Sequence, residues 1–222
     1  MKNKELQEKR MKGYFIQATK EILKSEGIKA ISVRNIADKA GYSYATLYNY
    51  FKDINDLVFL CVSDFQAECE SFVSEQTKKE PKGIKKLKAS ILAYIKYFIE
   101  YPGIFDLFFI TKGGDFGNKQ QIIDVISNSL DRVCNIDWEY CLKHKIILET
   151  DIELLKTQLR YSVIGLLILY LNRLTPKLYS EFITQANRLI DSELGIKYEN
   201  LNDAMKDEQT KIQNSIISVN IG

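Results

Sequence analysis

The chain has 222 residues, of which 45% are hydrophobic and 27% charged, a composition that excludes disordered, collagen-like and disulfide-scaffold proteins. Its longest apolar run covers residues 163–171, far short of the roughly 20 residues that cross a bilayer. The basic N-terminus has no apolar run behind it, so it does not resemble a secretory signal. The sequence therefore predicts a cytoplasmic protein with no membrane partner.

The cysteines and the single histidine predict neither a disulfide nor a metal centre. Cys61, Cys69, Cys134 and Cys141 are expected to be reduced thiols in helices. Cys134 and Cys141 are seven residues apart, which places their Cα atoms about 10 Å apart on a helix, too far for a disulfide. His144, Cys141 and Glu139 share one predicted helix and cannot converge on one ion, so we expect no metal and no cofactor.

Charge divides the chain into two parts. Residues 1–52 contain eleven Lys or Arg residues against five acidic residues, whereas the other 170 residues contain twenty basic and twenty-four acidic residues. A basic head on an acidic body indicates a polyanionic partner for the head. The alternative is a solvated basic face with no partner.

Local signals predict four helices in the first 78 residues. These are 4–26, ended by Gly27; 33–40, capped by Ser32 and ended by Gly41; 44–50, capped by Ser43; and 54–78, capped by Asp53. The second and third helices are joined by a three-residue turn that contains glycine, as in a helix-turn-helix. The third helix then protrudes and fits a major groove about 12 Å wide.

A dense pattern of residues extends from Phe15 to Leu57. It includes Ala18, Ile22, Gly27, Ser32-Val33-Arg34, Ile36-Ala37, Ala40-Gly41, Ser43, Thr46-Leu47-Tyr48 and Tyr50-Phe51. This pattern over about 43 residues, a fifth of the chain, resembles the N-terminal DNA-binding domain of TetR-family transcriptional regulators. Two positions depart from the family: Ile54 replaces a usual phosphate-binding lysine, for which Lys52 can substitute, and Tyr42 replaces a small aliphatic residue.

The resemblance implies roles for the third helix and its surroundings. Tyr44 and Ala45 would face bases, while Ser43, Thr46, Tyr48 and Asn49 would bind phosphates. Arg34 and Lys52 are the nearest cations, and Arg34 can reach a phosphate or a guanine. For Tyr48 the alternative is core packing in place of Phe51, and for Thr46 it is completion of the cap that Ser43 begins.

The rest of the chain predicts five more helices, giving an all-α fold of about nine. They cover 84–101, 104–110, 118–145, 150–172 and 177–194, with capping boxes at Asn118-Gln121 and Thr150-Glu153 and with Pro176 opening the last. We therefore predict a helix-turn-helix domain at 1–53, a helical effector-binding and dimerisation domain at 54–196, and a tail at 197–222.

The last two helices are the predicted dimer interface, in keeping with the family resemblance. The candidate residues are Tyr161, Gly165, Ile168, Leu169, Phe182, Ala186 and Leu189. Two such helices from each subunit would form a four-helix bundle. The alternative is that the apolar run 163–171 is core within one chain.

Aromatic residues are frequent between residues 94 and 161, the region in which family members bind apolar or amphipathic effectors. Candidate pocket residues are Tyr94, Phe98, Tyr101, Phe105, Phe109, Trp138 and Tyr161. Aromatic residues at helical spacing also form ordinary core, and that alternative stays open.

Together these features predict a homodimeric regulator that binds double-stranded DNA, a repressor released from a palindromic operator by a small-molecule effector. One alternative is a DNA-binding protein that responds to no ligand. Another is a helical enzyme with an incidental DNA-binding head, for which the sequence offers no nucleophile, carboxylate pair or metal cluster; we predict no enzymatic activity.

Overall fold

The computed structural model describes residues 2–111 and 120–195, and within them it contains eleven α-helices and no strand. The helices are α1 (Lys2–Ser25), α2 (Val33–Ala40), α3 (Tyr44–Tyr48), α4 (Ile54–Thr77), α5 (Ile84–Glu100), α6 (Pro102–Phe105), α7 (Gln120–Ser127), α8 (Ser129–Val133), α9 (Asn135–Lys143), α10 (Glu149–Leu171) and α11 (Tyr179–Glu193). The predicted all-α class is confirmed. The predicted tail at 197–222 and the predicted cap residue Asn118 lie outside the described residues.

The first three helices and the start of α4 enclose a small core of their own. Its buried residues are Phe15, Ala18, Ile22, Ile36, Leu47, Phe51 and Leu57. The three predicted caps are confirmed, since Ser32, Ser43 and Asp53 each accept a hydrogen bond from a main-chain N–H in the first turn that follows. Gly27 and Gly41 both have a φ of 76°, but only Gly41 adopts the left-handed helical conformation, because ψ at Gly27 is −176°.

The second core lies around α5, which contacts α4, α8, α9, α10 and α11. Five apolar residues on one side of this helix, Leu87, Ile91, Tyr94, Ile95 and Phe98, are all fully buried. Helix α4 runs along both cores, with Leu57 in the first and Val58 to Val73 in the second. It is therefore the continuous connection between the head and the body.

The helix predicted over 118–145 is divided into α7, α8 and α9. The first interruption is at Asn128, where the backbone leaves the helical region with a ψ of 14° and the side-chain amide donates to the carbonyl oxygen of Asp124 at 3.0 Å. Cys134 interrupts it again, with a ψ of 4°. The helix predicted over 104–110 instead begins at Pro102 and ends in a π-helical turn, Asp106–Ile110. The count of nine helices is therefore too low.

The predicted starts of the last two helices are also wrong. Helix α10 begins at Glu149 after an extended Leu148, and no side chain caps it. The Thr150 hydroxyl instead donates to the Asp151 carboxylate at 2.9 Å, so the predicted capping box does not form. Helix α11 begins at Tyr179 after an extended Leu178, which leaves Pro176 outside the helix.

Helix α10 is long and apolar enough to cross a membrane, by length and composition alone, and it is the single such helix in the described residues. Only 17% of its most apolar stretch is buried within the chain. Its buried residues are Ile152, Leu159, Val163 and Leu167, one stripe that faces the body. Part of the remaining apolar surface of α10, at Leu154, Tyr161 and Leu169, is exposed in a single chain.

Candidate nucleic-acid interface

Helix α3 is held by one side and exposed on the other. Leu47 is fully buried and anchors the helix to the head, whereas Tyr44 and Tyr48 are 66% and 54% exposed. Phe51 is the ring that enters the core, at 5% exposure. Core packing of Tyr48, the alternative left open by the sequence, is therefore wrong, and its side chain lies on the same outward surface as Tyr44.

The other predicted DNA-binding side chains also surround the outer surface of α3. Ser43, Ala45, Asn49 and Lys52 are exposed and Thr46 is half-buried. The side chain of Arg34 on α2 is 88% exposed, and its guanidinium lies 3.8 Å from the Asp38 carboxylate. An exposed pair of this kind is weak, so Arg34 is free to exchange Asp38 for a phosphate.

Ser43 and Thr46 are joined at the first turn of α3. The Ser43 hydroxyl accepts from the Thr46 main-chain N–H at 3.1 Å, and the two hydroxyl oxygens lie 2.9 Å apart. Thr46 does complete the cap, as the alternative interpretation proposed. Each hydroxyl still has hydrogen-bonding capacity, so capping does not exclude a contact with phosphate.

An aromatic cluster supports the turn between α2 and α3. The Tyr42 ring lies 6.0 Å from the Tyr14 ring in a stacked arrangement and 5.7 Å from the Phe15 ring, both on α1. Phe15 also contacts the Tyr50 and Phe51 rings, at centroid distances of 6.3 Å. The turn accommodates the bulky Tyr42 by packing its ring on α1, a contact that a local sequence pattern does not reveal.

Ion pairs between α1 and α4 connect the head to the body. Lys24 lies 2.7 Å from the Glu68 carboxylate, and Lys20 contacts both Asp64 and Glu68. Both ammonium groups also lie 5.5 Å from the centre of the Phe65 ring. Sequence reasoning missed this cluster, although Asp64 and Glu68 have the i, i+4 spacing that places two carboxylates on one helix face.

These contacts change the pKa values of the paired groups. Burial of Glu68 works to raise its pKa, but the hydrogen bonds and positive charge of Lys20 and Lys24 outweigh burial and lower it. Burial of Lys20 works to lower its pKa, and the carboxylates of Glu68 and Asp64 reverse that effect and raise it. Both groups are therefore held in their charged forms at neutral pH.

The predicted pocket residues fall into two groups. Tyr94, Phe98 and Phe105 are fully buried, Trp138 is nearly so, and Tyr101 and Phe109 are half-buried. The rings pack on one another: Phe98 lies 4.9 Å from Tyr94, 5.7 Å from Phe105 and 5.5 Å from Phe109, centre to centre. Tyr161 does not belong with them, because its side chain is 69% exposed on the outer face of α10, far from an interior pocket.

An open cleft of about 540 Å³ lies beside α4 and the start of α7. Its lining residues are Asp56, Phe59, Leu60, Gln120 and Gln121, none of which the sequence assigned to a pocket. Phe59 and Leu60 follow Leu57 on α4, so the cleft adjoins the point at which this helix passes from head to body.

The predicted dimer residues differ in exposure: some lie at the surface of the chain and others are fully buried. Tyr161 and Leu169 on α10 are 69% and 40% exposed, and Gly165, Ile168 and Leu189 are half-buried. Phe182 and Ala186 are fully buried, and the Phe182 ring lies 4.1 Å from the Tyr170 ring of the same chain. Their assignment to the dimer surface is corrected: α11 turns this face toward the body, and neither residue has exposed surface for a partner.

The four cysteines are all buried and reduced. Burial raises the pKa of each thiol, and that of Cys61 rises to about 12. Within residues 2–111 and 120–195, no three histidine, cysteine, aspartate or glutamate side chains are grouped so that they could hold a metal ion.

Comparisons with known proteins agree with this geometry. Residues 15–61 match the family model described as bacterial regulatory proteins, tetR family. A TetR-family transcription regulator from Marinobacter aquaeolei VT8 has 18% identity and a TM-score of 0.57, over 86% of this chain and 98% of that one. FadR from Bacillus subtilis, a transcriptional regulator solved in complex with stearoyl-CoA, has 16% identity and a TM-score of 0.60, over 83% and 98%. No curated protein matches the chain.

Proposed function

We propose that this chain, whose residues 15–61 match the tetR family model, is a DNA-binding transcriptional regulator of that family and acts as a homodimeric cytoplasmic repressor released from a palindromic operator by a small ligand. The exposed outer surface of α3, capped at Ser43 and anchored by Leu47, is the observation that carries this proposal. Each domain has its own role in this proposal: residues 1–53 bind DNA, and residues 54–196 dimerise and bind the effector.

Base recognition is assigned to the first residues of α3. Tyr44 offers a ring edge and a hydroxyl, and small Ala45 lets the helix backbone approach the groove and touch a thymine methyl. Ser43, Thr46, Tyr48 and Asn49 then bind phosphates and fix the register of the helix, with Lys52 and Arg34 as flanking cations. All of these side chains except the half-buried Thr46 are exposed, and the outer face of α3 is free, which supports these roles.

Dimerisation is assigned to the outer face of α10. Leu154, Tyr161 and Leu169 lie along this face and are 63%, 69% and 40% exposed, a large apolar surface for a single chain. A second copy packed on this surface would cover it and would place two α3 helices on one DNA molecule. Two recognition helices about one helical turn apart require a palindromic site.

The effector is assigned to the aromatic region around α5 and α9. The indole nitrogen of Trp138 is buried and has no hydrogen-bond partner among the described residues, which favours a ligand with an acceptor group beside an apolar body. The stearoyl-CoA bound by the structurally similar FadR is a ligand of that mixed character. An apolar chain that enters here would displace rings such as Phe98 and Phe109.

Release requires that the ligand bind one arrangement of the two heads better than the other, since the equilibrium shifts only by that difference in affinity. Helix α4 passes from the head core to the body core, and α6 contacts α1. Both therefore connect the effector region to the heads. Equal ligand affinity for free and DNA-bound protein, measured by calorimetry, would exclude release by this route.

The test of DNA recognition compares DNA from upstream of the gene with a scrambled duplex of the same length and composition. Wild-type protein is expected to prefer the upstream duplex. Tyr44→Ala is expected to lose about fivefold or more of that preference, because a base contact accounts for about 1–3 kcal/mol of discrimination. Ile136→Ala, at a 75% exposed position on α9, is the control and should change nothing. Equal binding of wild-type protein to both duplexes would contradict the proposal.

A further inference from the structure

The first three turns of α1, residues 2–12, form a basic helical segment that we call the arm. It contains Lys2, Lys4, Lys9, Arg10 and Lys12 against only Glu5 and Glu8. All side chains from Lys4 to Arg10 are exposed. The family match begins at residue 15, so the arm is an addition to the part of the head that the match covers.

The pairing of α1 with α4 shows how far the arm extends. The Cys61 thiol lies 3.9 Å from the carbonyl oxygen of Ile16, Lys20 lies 3.3 Å from Asp64, and Lys24 lies 2.7 Å from Glu68. These contacts keep an offset of 44 or 45 residues, so the two helices run side by side in the same direction. The same offset places Lys9 level with the start of α4, and the residues before it extend about 10 Å further.

The arm extends from the head on the side where α3 lies. Tyr14, two residues after the arm, stacks on Tyr42, the residue before the Ser43 cap of α3. The other end of α1 contacts the body, through Lys24 with Glu68 and through the packing of α6. The arm therefore points away from the body and passes beside the N-terminal end of α3.

The cations of the arm differ from those in the rest of α1. Lys20 forms ion pairs with Asp64 and Glu68, and Lys24 forms an ion pair with Glu68. Within the arm, Lys12 pairs with Glu8 at 2.8 Å, whereas Lys9 and Arg10 form no ion pair with any residue that the structure describes. Structural pairing explains the first set of charges and leaves Lys9 and Arg10 without such an explanation. Lys4 forms an electrostatic interaction with Glu8, whose pKa is lowered mainly by Lys12 and further by Lys4.

We propose that the arm is a second DNA contact, in which Lys4, Lys9 and Arg10 bind the phosphate backbone that flanks the bases met by α3. The inference deepens the proposed function and rests on it. A phosphate backbone is the polyanion that lies beside α3 once this helix is in the groove, and the positive end of the α1 helix dipole adds to the attraction. Phosphate contacts carry no sequence information, so the arm supplies affinity and salt dependence without changing the preferred sequence.

The test removes the three arm charges together, as Lys4→Ala, Lys9→Ala and Arg10→Ala. Alanine is a strong helix former, so α1 is retained, and far-ultraviolet circular dichroism checks this. The matched control removes three exposed body lysines, as Lys79→Ala, Lys85→Ala and Lys143→Ala, with the same change in net charge. Both variants are titrated with the upstream duplex and the scrambled duplex over a series of NaCl concentrations.

The arm variant is expected to bind both duplexes more weakly, by the same factor. The slope of log affinity against log salt is expected to fall by about one for each phosphate that the variant no longer binds, while the control keeps the wild-type slope. A slope in the arm variant equal to that of the control would overturn the proposal. A change in preference between the duplexes at constant slope would also overturn it, because that result indicates base contacts.

This result is independent of the operator. If wild-type protein binds both duplexes equally, the proposed recognition by α3 fails, but the slope measured on the scrambled duplex still decides whether the arm contacts phosphates. If wild-type protein binds neither duplex at the lowest salt concentration, the arm is not a DNA contact.

Discussion

Gly103, the second residue of α6, lies directly against the carbonyl oxygen of Leu23 in α1. A Cβ atom at position 103 would overlap that oxygen and would lie 3.4 Å from the Cα of Gly27. The contact joins the end of the first head helix to the segment that follows the aromatic-rich α5. Only a residue without a side chain allows this approach, so the junction between head and body depends on main-chain packing at this point.

Gly103→Ala therefore tests the junction. Because the obstacle is a main-chain oxygen that cannot rotate away, we expect a decrease of about 1–3 kcal/mol in the free energy of unfolding, measured in urea. Gly13→Ala is the control: a Cβ at that helical position meets nothing within 4 Å, and the substitution should stabilise the protein by up to about 1 kcal/mol. If both variants were equally stable, the close approach at Gly103 would have no energetic importance.

The Lys20, Lys24 and Glu68 cluster predicts a pH dependence of stability. Because the pKa of Glu68 is lowered from its ordinary value of 4.5, its contribution is present above that pH and disappears as the pH falls through the lowered pKa. The raised pKa of Lys20 acts oppositely: its contribution is complete below 10.5 and disappears only as the pH rises through the raised value. The cluster therefore stabilises the protein fully between these limits.

Glu68→Gln should then reduce the decline in stability between pH 6 and pH 3, measured by the urea midpoint at each pH. The control is Glu75→Gln, which removes an exposed partner of Lys78 on the same helix and should leave the profile unchanged. Identical acid profiles for wild-type protein and Glu68→Gln would show that this cluster does not couple folding to pH.

The cysteines should be unreactive in the native protein. Burial raises the pKa of Cys61 to about 12 and raises that of the other three as well, so little thiolate is present at pH 8. Ellman's reagent is expected to label none of them within minutes in buffer and all four in guanidinium chloride. Rapid labelling of any thiol in the native state would show that its helix opens and would contradict the prediction.

The dimer surface is tested by a charge on the outer face of α10. Tyr161→Asp should shift the protein toward monomer in sedimentation velocity, because an unpaired carboxylate would be buried between the two copies. Ile136→Asp places the same charge at a 75% exposed position on α9 and should leave the sedimentation coefficient unchanged. A Tyr161→Asp variant that stays dimeric would move the interface away from this face.

The head is predictable from sequence because its structure depends on local chemistry. Ser32, Ser43 and Asp53 cap the helices that follow them through hydrogen bonds within three residues, and Gly41 has the conformation that its turn requires. The choice between Tyr48 and Phe51 is not predictable from spacing alone, because the two positions are three residues apart and lie on adjacent parts of one helix surface. It depends on Phe15, which contacts the Phe51 ring from α1, a residue 36 positions earlier in the chain.

The body is less predictable for two physical reasons. The breaks at Asn128 and Cys134 need neither glycine nor proline, so the sequence 118–145 appears continuous. Apolar residues also serve an internal core and an external interface equally well. The sequence pattern therefore assigns Phe182 and Tyr161 to the same surface, although one is fully buried and the other is 69% exposed.

Hydroxyl-radical footprinting of the upstream DNA with the wild-type dimer tests the central claim most directly. Two copies joined through α10 that each insert one α3 should protect two half-sites of related, inverted sequence, with centres about 10 base pairs apart. Loss of protection at both half-sites together in the Tyr161→Asp variant would show that the protection pattern depends on the dimer. A single protected site without symmetry, or uniform protection along the duplex, would contradict a symmetric repressor that reads DNA through α3.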